Sequence, residues 1–268
     1  MVAEASKYRI ESVSRATEVL CAFLRPPHRF GLAELTLATG QTKNLTFRML
    51  QTLALAGFVV QDGETKTYRL GSRLVDLAAV AVHGSDLLRV AASVLDDLAD
   101  ATGETINLIT RLDDRSAICV DKRDSRQRLQ ITASVGARFA LHAGASPKLL
   151  LAFSPPEAIA AYLRECQPFP AFTSSTITEP AALRAELDRI RVQGYAVSLE
   201  EMDEGVCSIA APVRDAGGVV VAGLSVAAPT IRSGPAERRR NTAAVRDAAE
   251  RLSARLAGDA RRGDALPT

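Results

Sequence analysis

The chain predicts an α+β protein in two parts, a small helical head ending in a β-hairpin and a larger domain of mixed strands and helices. Three observations carry that expectation. Apolar residues recur at helical spacing in the first 70 residues and are followed by a hairpin signal. After Glu104 the pattern changes to strands and helices without a strict βαβ rhythm. The charge also divides: residues 1–70 hold nine Lys/Arg against six Asp/Glu, a net +3, while the remainder holds 24 basic and 25 acidic residues, a net −1.

In the head, Ser12 is placed to cap a first helix whose apolar positions are Val13, Ala16, Leu20, Phe23 and Leu24. Arg25-Pro26-Pro27 stops it. A short helix over Leu32–Thr39 follows, with Leu35 and Ala38 inward and Gly40 placed for a left-handed stop. Gln41-Thr42 make a turn. Lys43–Ala56 reads as a third helix with Thr46, Met49, Leu50 and Leu53 inside and Gly57 as its end. Two β-prone runs around Asp62-Gly63 then form a hairpin. Helix, short helix, turn, helix, hairpin is the order of a winged helix-turn-helix, which places one helix in a DNA major groove.

The outer side of the third helix carries Thr42, Lys43, Asn44, Leu45, Phe47 and Arg48. Lys43 and Arg48 suit phosphates or guanine edges, Asn44 suits adenine, and Leu45 suits a thymine methyl. Lys66 lies in the hairpin, within reach of the DNA backbone or minor groove. A basic head on a near-neutral body fits a polyanion-binding module.

Ser72 opens a helix, Arg73–His83, and Gly84-Ser85 separates it from another that begins at Asp86, with Leu87, Val90, Leu95 and Leu98 inward. Strands are expected over Ile106–Arg111, Ala117–Asp121, Leu129–Val135, Gly194–Leu199, Val206–Val213 and Val219–Val226. Helices are expected over Pro147–Phe153, Pro156–Cys166, Pro180–Val192 and Pro235–Leu256. Ser146 before Pro147 reads as an N-cap, so Ala145 and Ser146 would open onto a helix N-terminus that attracts anions. Strand alternation sets Ser208 with Ala210, and Ser225 with Gly223, on faces opposite their bulkier neighbours. Ser198 ends a neighbouring strand on the same basis.

The run Gly40-Gln-Thr-Lys-Asn-Leu-Thr-Phe-Arg-Met-Leu50, with a wing ending Tyr68-Arg-Leu-Gly71, resembles the IclR family of bacterial transcription regulators. So do Val135–Ala152, Gly194–Glu201, Gly205–Val213 and Val221–Val226. The family pattern Gly-Leu-Pro-Lys-Ser-Thr-Val-x-Arg-Leu-Leu is altered here at Gln41-Thr42 and Asn44-Leu45-Thr46. The resemblance implies a winged helix-turn-helix domain over 1–71, a linker helix over 72–85 and a GAF/PAS-like effector-binding and oligomerisation domain over 86–262. It further implies a repressor that assembles as a dimer or tetramer and binds double-stranded operator DNA. Its effector, an organic acid or aromatic metabolite, would sit at Ala145, Ser146, Ser198, Ser208 and Ser225. Pro147 stands where a glycine is usual, and Ser198 where some relatives have a carboxylate.

No apolar run has transmembrane length and the N-terminus lacks a secretory pattern, so a cytoplasmic location is expected. Cys21, Cys119, Cys166 and Cys207 are scattered and His28, His83 and His142 lie in no nucleophile or zinc motif, so neither a metal site nor a cofactor is expected. Glu200, Glu201, Asp203 and Glu204 read as a solvated loop rather than as paired catalytic carboxylates. Two rival readings remain: a small-molecule-transforming enzyme with an accessory helical domain, and a metal-sensing regulator.

Overall fold

The computed structural model describes residues 8–83, 86–131 and 134–263. Chain contacts divide it into two units, Met1–Gly84 and Ser85–Thr268.

The first unit is built from helices α1 (Glu11–Ala22), α2 (Leu32–Thr39) and α3 (Lys43–Leu55), a hairpin of β1 (Val59–Gln61) and β2 (Tyr68–Leu70), and α4 (Arg73–His83). Its core gathers Val19, Phe23, Leu35, Leu50, Val59 and Tyr68. At eight residues α2 is too short to persist alone in water, so burial of Leu35 holds it. Burying such a side chain contributes about 1.5–3 kcal/mol, more than helix propensity offers over so short a span. The Glu34 carboxylate accepts the Gly31 N–H at 2.6 Å at the start of α2. Gly40 takes φ +64° at its end, as the stop requires.

Ser12 does not cap α1. The helix starts two residues earlier than such a cap would set, at Glu11 behind Ile10, with no side-chain cap. Its buried stripe is centred on Val19 and Phe23, which leaves Val13 and Leu24 exposed. Ala38 also faces out. The four inward residues of α3 are Thr46, Met49, Leu50 and Leu53, as their spacing predicts. Phe30 pairs with Tyr68 and adds a bridge beside the hairpin.

Gly71 closes the wing against the end of α3. Its N–H donates to the Phe58 carbonyl at 2.8 Å, and a Cβ there would lie 2.2 Å from the Gly57 oxygen. Gly71→Ala is therefore expected to destabilise the first unit by about 2–3 kcal/mol, because backbone rather than a flexible side chain must give way. Calorimetry checks this: an unchanged unfolding profile would show that the close approach costs nothing to relieve.

The second unit contains α5 (Asp86–Thr102), β3 (Thr105–Arg111), β4 (Ser116–Arg123), β5 (Arg138–Ala140), α6 (Ala145–Ala152), α7 (Pro156–Glu165), α8 (Pro180–Gln193), β6 (Ala196–Leu199), β7 (Val206–Arg214), β8 (Val220–Pro229) and α9 (Pro235–Gly263). The strands form one antiparallel sheet in the order β5-β4-β3-β8-β7-β6. One face packs Ile106, Leu108, Ile209, Leu224 and Val226 against α5 and α9. The other packs Ile109, Ala117, Cys119 and Ala210 with residues of α6, α7 and α8. The α+β expectation therefore holds, with helices on both sides of the sheet.

One expected strand is absent. Residues 129–131 and 134–135 carry no strand, while 132 and 133 lie outside the described residues. A short β5 over Arg138–Ala140 pairs with β4 instead. The β-prone composition around 129–131 yields to tertiary anchoring: Thr105 Oγ1 donates to the Ile131 carbonyl at 2.8 Å and ties that residue to the start of β3.

Candidate nucleic-acid interface and ligand cavity

Thr42 caps α3, its side-chain oxygen accepting the Leu45 N–H at 3.4 Å, and Thr46 Oγ1 donates to the Thr42 carbonyl at 3.1 Å. Gln41 Nε2 donates to the Arg15 carbonyl at 3.1 Å and so ties the turn before α3 to α1. This arrangement turns Thr42, Lys43, Asn44, Phe47 and Arg48 outward together. Leu45 departs from that set. It is half-buried against the core and lines a groove with Val13, Ala16 and Leu20 of α1. Gln51 is exposed one turn beyond Phe47 on the same face, a residue that i, i+4 spacing would have found had the face been extended past Arg48.

Lys66 sits in the β1–β2 turn at φ +57° and is exposed. The turn is held by Asp62, whose carboxylate accepts the Glu64 N–H at 3.0 Å and the Thr65 N–H at 2.9 Å. The Thr65 and Glu64 hydrogen bonds keep that carboxyl below its ordinary range. A left-handed lysine in a turn stapled by an aspartate is presented to solvent rather than folded back.

In the second unit a cavity of about 350 Å³ opens beside α6. It exists because one sheet face is small and polar. Across it run Thr105, Ala227, Ser208 and Ser198 in one row, and Asn107, Ser225, Ala210 and Ala196 in the next. Four leucine-sized side chains in those positions would fill the space. Ser208, Ser225, Asn107 and Ala227 line the cavity. Ala145 and Ser146 line it from α6, Met202 and Asp203 from the loop after β6, and Ile131 and Phe139 from the opposite side. Ser198 is buried on the same sheet face, paired with Ser208, but is outside the lining.

Ser146 is not the N-cap. Gly144 takes that place at φ +87°, and Ser146 is the second residue inside α6. Pro147 is the third, where a missing N–H breaks no helical bond. Gly223 of β8 lets α6 approach, since a Cβ there would lie 3.0 Å from Ser146 Cβ. The Ala145 and Ser146 amides have no acceptor earlier in the helix. Among the described residues, Ser146 is 2% exposed with no hydrogen-bond partner for its Oγ, and Asn107 is 6% exposed with none for its Oδ1. Buried polar atoms left unpaired cost about 1–3 kcal/mol each, and both belong to residues that line the cavity. Asn107 carries no local motif, and only its pairing with Ser225 brings it to the site.

The acidic cluster is not a solvated loop throughout. Glu201 is buried, its Oε1 receives Lys148 Nζ at 2.5 Å and its Oε2 accepts the Gly144 N–H at 3.2 Å. Lys148, wholly buried in α6, also donates to Glu186 Oε1 at 3.1 Å and the Val197 carbonyl at 3.3 Å. Burial pushes the Glu201 carboxyl above its ordinary range against the pull of Lys148. The pair thus holds the start of α6 to the loop that carries Met202 and Asp203. His142 is buried, stacks on Phe169 and Phe172, and bonds the Tyr162 hydroxyl at 3.2 Å and the Pro170 carbonyl at 3.0 Å. Burial lowers its pKa, so it is a neutral packing group. Among the described residues no group of three His, Cys, Asp or Glu is placed to hold a metal ion, and no helix is long and apolar enough to cross a membrane.

A winged head with an outward-turned α3 on the same chain as a domain holding a small-molecule-sized cavity defines a DNA-binding transcription regulator. Comparison with known proteins narrows the class. Residues 12–63 match the IclR helix-turn-helix domain, and residues 79–254 match the bacterial transcriptional regulator IclR C-terminal domain. The chain belongs to the IclR family. It is 35% identical over 247 residues to the HTH-type transcriptional regulator KdgR of Escherichia coli, covering 92% of this chain and 93% of that protein. The crystal structure of an IclR transcriptional regulator from Alicyclobacillus acidocaldarius superposes with a TM-score of 0.85 at 29% identity, covering 93% of this chain and all of that one. An IclR homologue of Microbacterium hydrocarbonoxydans, complexed with 4-hydroxybenzoate, shares the fold with a TM-score of 0.80 at 24% identity, covering 92% of this chain and 100% of that one.

Proposed function

We propose that the chain is a cytoplasmic repressor that binds a double-stranded operator as a dimer or tetramer and releases it in response to a small-molecule effector, an organic acid or aromatic metabolite. In this reading residues 1–71 bind DNA, 72–85 link, and 86–262 bind effector and oligomerise. DNA is held by Thr42, Lys43, Asn44, Phe47, Arg48 and Lys66, with Leu45 packing behind them. The effector is held by Ala145, Ser146, Ser208 and Ser225, with Ser198 supporting Ser208 across the strand pair. The observation that carries the effector reading is the Ser146 hydroxyl, buried at the N-terminus of α6 beside the cavity with no hydrogen-bond partner among the described residues. Helix-start amides that have no acceptor within the helix, beside a hydroxyl, favour an anionic oxygen. That the Microbacterium homologue holds 4-hydroxybenzoate supports a carboxylate of that size and supplies a first compound to try.

A gel shift on the chain's own upstream region tests this. Specific binding is expected at low salt, weakening steeply as salt rises, and altered by at least one member of a panel of small carboxylates that includes 4-hydroxybenzoate. Absence of specific binding with and without the panel would remove the regulator reading. Binding that no compound alters, in a protein whose melting temperature no compound raises, would remove the effector reading alone.

A further inference from the structure

We propose that Phe47 reads a base: the operator half-site carries a thymine whose 5-methyl group packs on the Phe47 ring. The inference rests on the reading of α3 as the helix that enters the major groove. In that groove thymine is marked by its methyl group, which apolar side-chain surface on the outer helix face senses. The sequence offers Leu45 for that role. In the structure Leu45 is half-buried and packs toward α1, so less of its side chain is offered to the groove. Among the described residues Phe47 is then the large apolar side chain exposed in the first two turns of α3, at 44% exposure and outside the core cluster. Leu55 is exposed too, but at the far end of the helix.

The neighbours of Phe47 are those of a base reader. Lys43 and Asn44 lie one turn before it, and Gln51 one turn after it, all exposed. Asn and Gln side chains match the N6 and N7 edge of adenine. An aromatic ring between two such amides therefore faces a step where an adenine and a thymine methyl adjoin, while Lys43 and Arg48 at the margins supply charge toward phosphates. A ring left in water gains nothing for the fold, so its placement among five outward polar groups is explained by what the face meets.

Full-length protein is used to select duplexes from a random library, and each enriched thymine is replaced in turn by deoxyuridine, which deletes the methyl alone. One position per half-site is expected to lose about five- to tenfold in affinity. Phe47→Ala is expected to erase that difference at that position, with melting temperature and salt dependence unchanged because the ring is exposed and uncharged. Phe47→Leu should keep part of it. No deoxyuridine-sensitive position, or one that persists in Phe47→Ala, would overturn the assignment while leaving DNA binding by α3 intact. A library that yields no enriched sequence would overturn both.

Discussion

Lys148→Met is expected to cost the second unit about 3–5 kcal/mol, because it strands the buried Glu201 carboxylate without its cation. Few substitutions in the domain should do more. Lys148 has no exposed side-chain surface and Glu201 almost none, and both lie beside Glu186. Urea denaturation measures the loss directly; in a domain of this size it corresponds to about 10 °C in Tm. Lys148→Met/Glu201→Gln should recover most of it, since an amide still accepts the Gly144 N–H and Glu186 keeps Arg189 at 2.8 Å. The pH response of the single variant follows from sign. The Glu201 carboxyl is already held above its unfolded value by burial, and loss of Lys148 raises it further. A raised acid stabilises the fold below its unfolded pKa and loses that contribution as pH rises through its folded pKa. The variant should therefore be more stable at about pH 5 than at about pH 8, a trend that the double variant lacks. A single variant within about 1 kcal/mol of the parent at every pH would show that the pair holds nothing.

Ser208→Leu is expected to abolish the response to small carboxylates while leaving operator binding unchanged. Ser208 lies on β7 opposite Ala227 and projects into the cavity from its small-residue row. A leucine there takes up space in a cavity of about 350 Å³ and removes a hydroxyl from its wall. Thermal-shift titration should report at least a tenfold weaker response for any compound that stabilises the parent, a loss of about 1.4 kcal/mol or more. The gel shift without compound should be unaltered, because no residue of α3 is touched. Loss of both would assign Ser208 to the folding of the sheet. Retention of the response would move the effector out of this cavity.

Local chemistry made much of the fold legible before any coordinate. The end of α2 follows from Gly40, and the inner face of α3 from the spacing of Thr46, Met49, Leu50 and Leu53. The hairpin follows from Asp62-Gly63, and the division of β7 and β8 between a small polar and a large apolar face follows from alternation alone. Each of these depends on residues a few positions apart, and turn chemistry and periodicity act over that range. The family pattern was legible for the same reason, since it lies in continuous runs.

What tertiary structure decided lies where distant segments compete for one place. Ser146 reads as a cap in its own sequence, but Glu201, 57 residues after Gly144, takes the Gly144 N–H and draws the start of α6 back to Ala145. Leu45 reads as outward by its helix position, yet α1 offers it an apolar groove and leaves Phe47 on the surface. Asn107 enters the cavity only because β3 pairs with β8 more than a hundred residues later. The sequence determined the two-part α+β architecture, the outward face of the third helix and the small residues that leave a cavity. Which side chains stand free on that helix and in that cavity was settled by packing, because burial rewards whichever neighbour arrives in space rather than the next one along the chain.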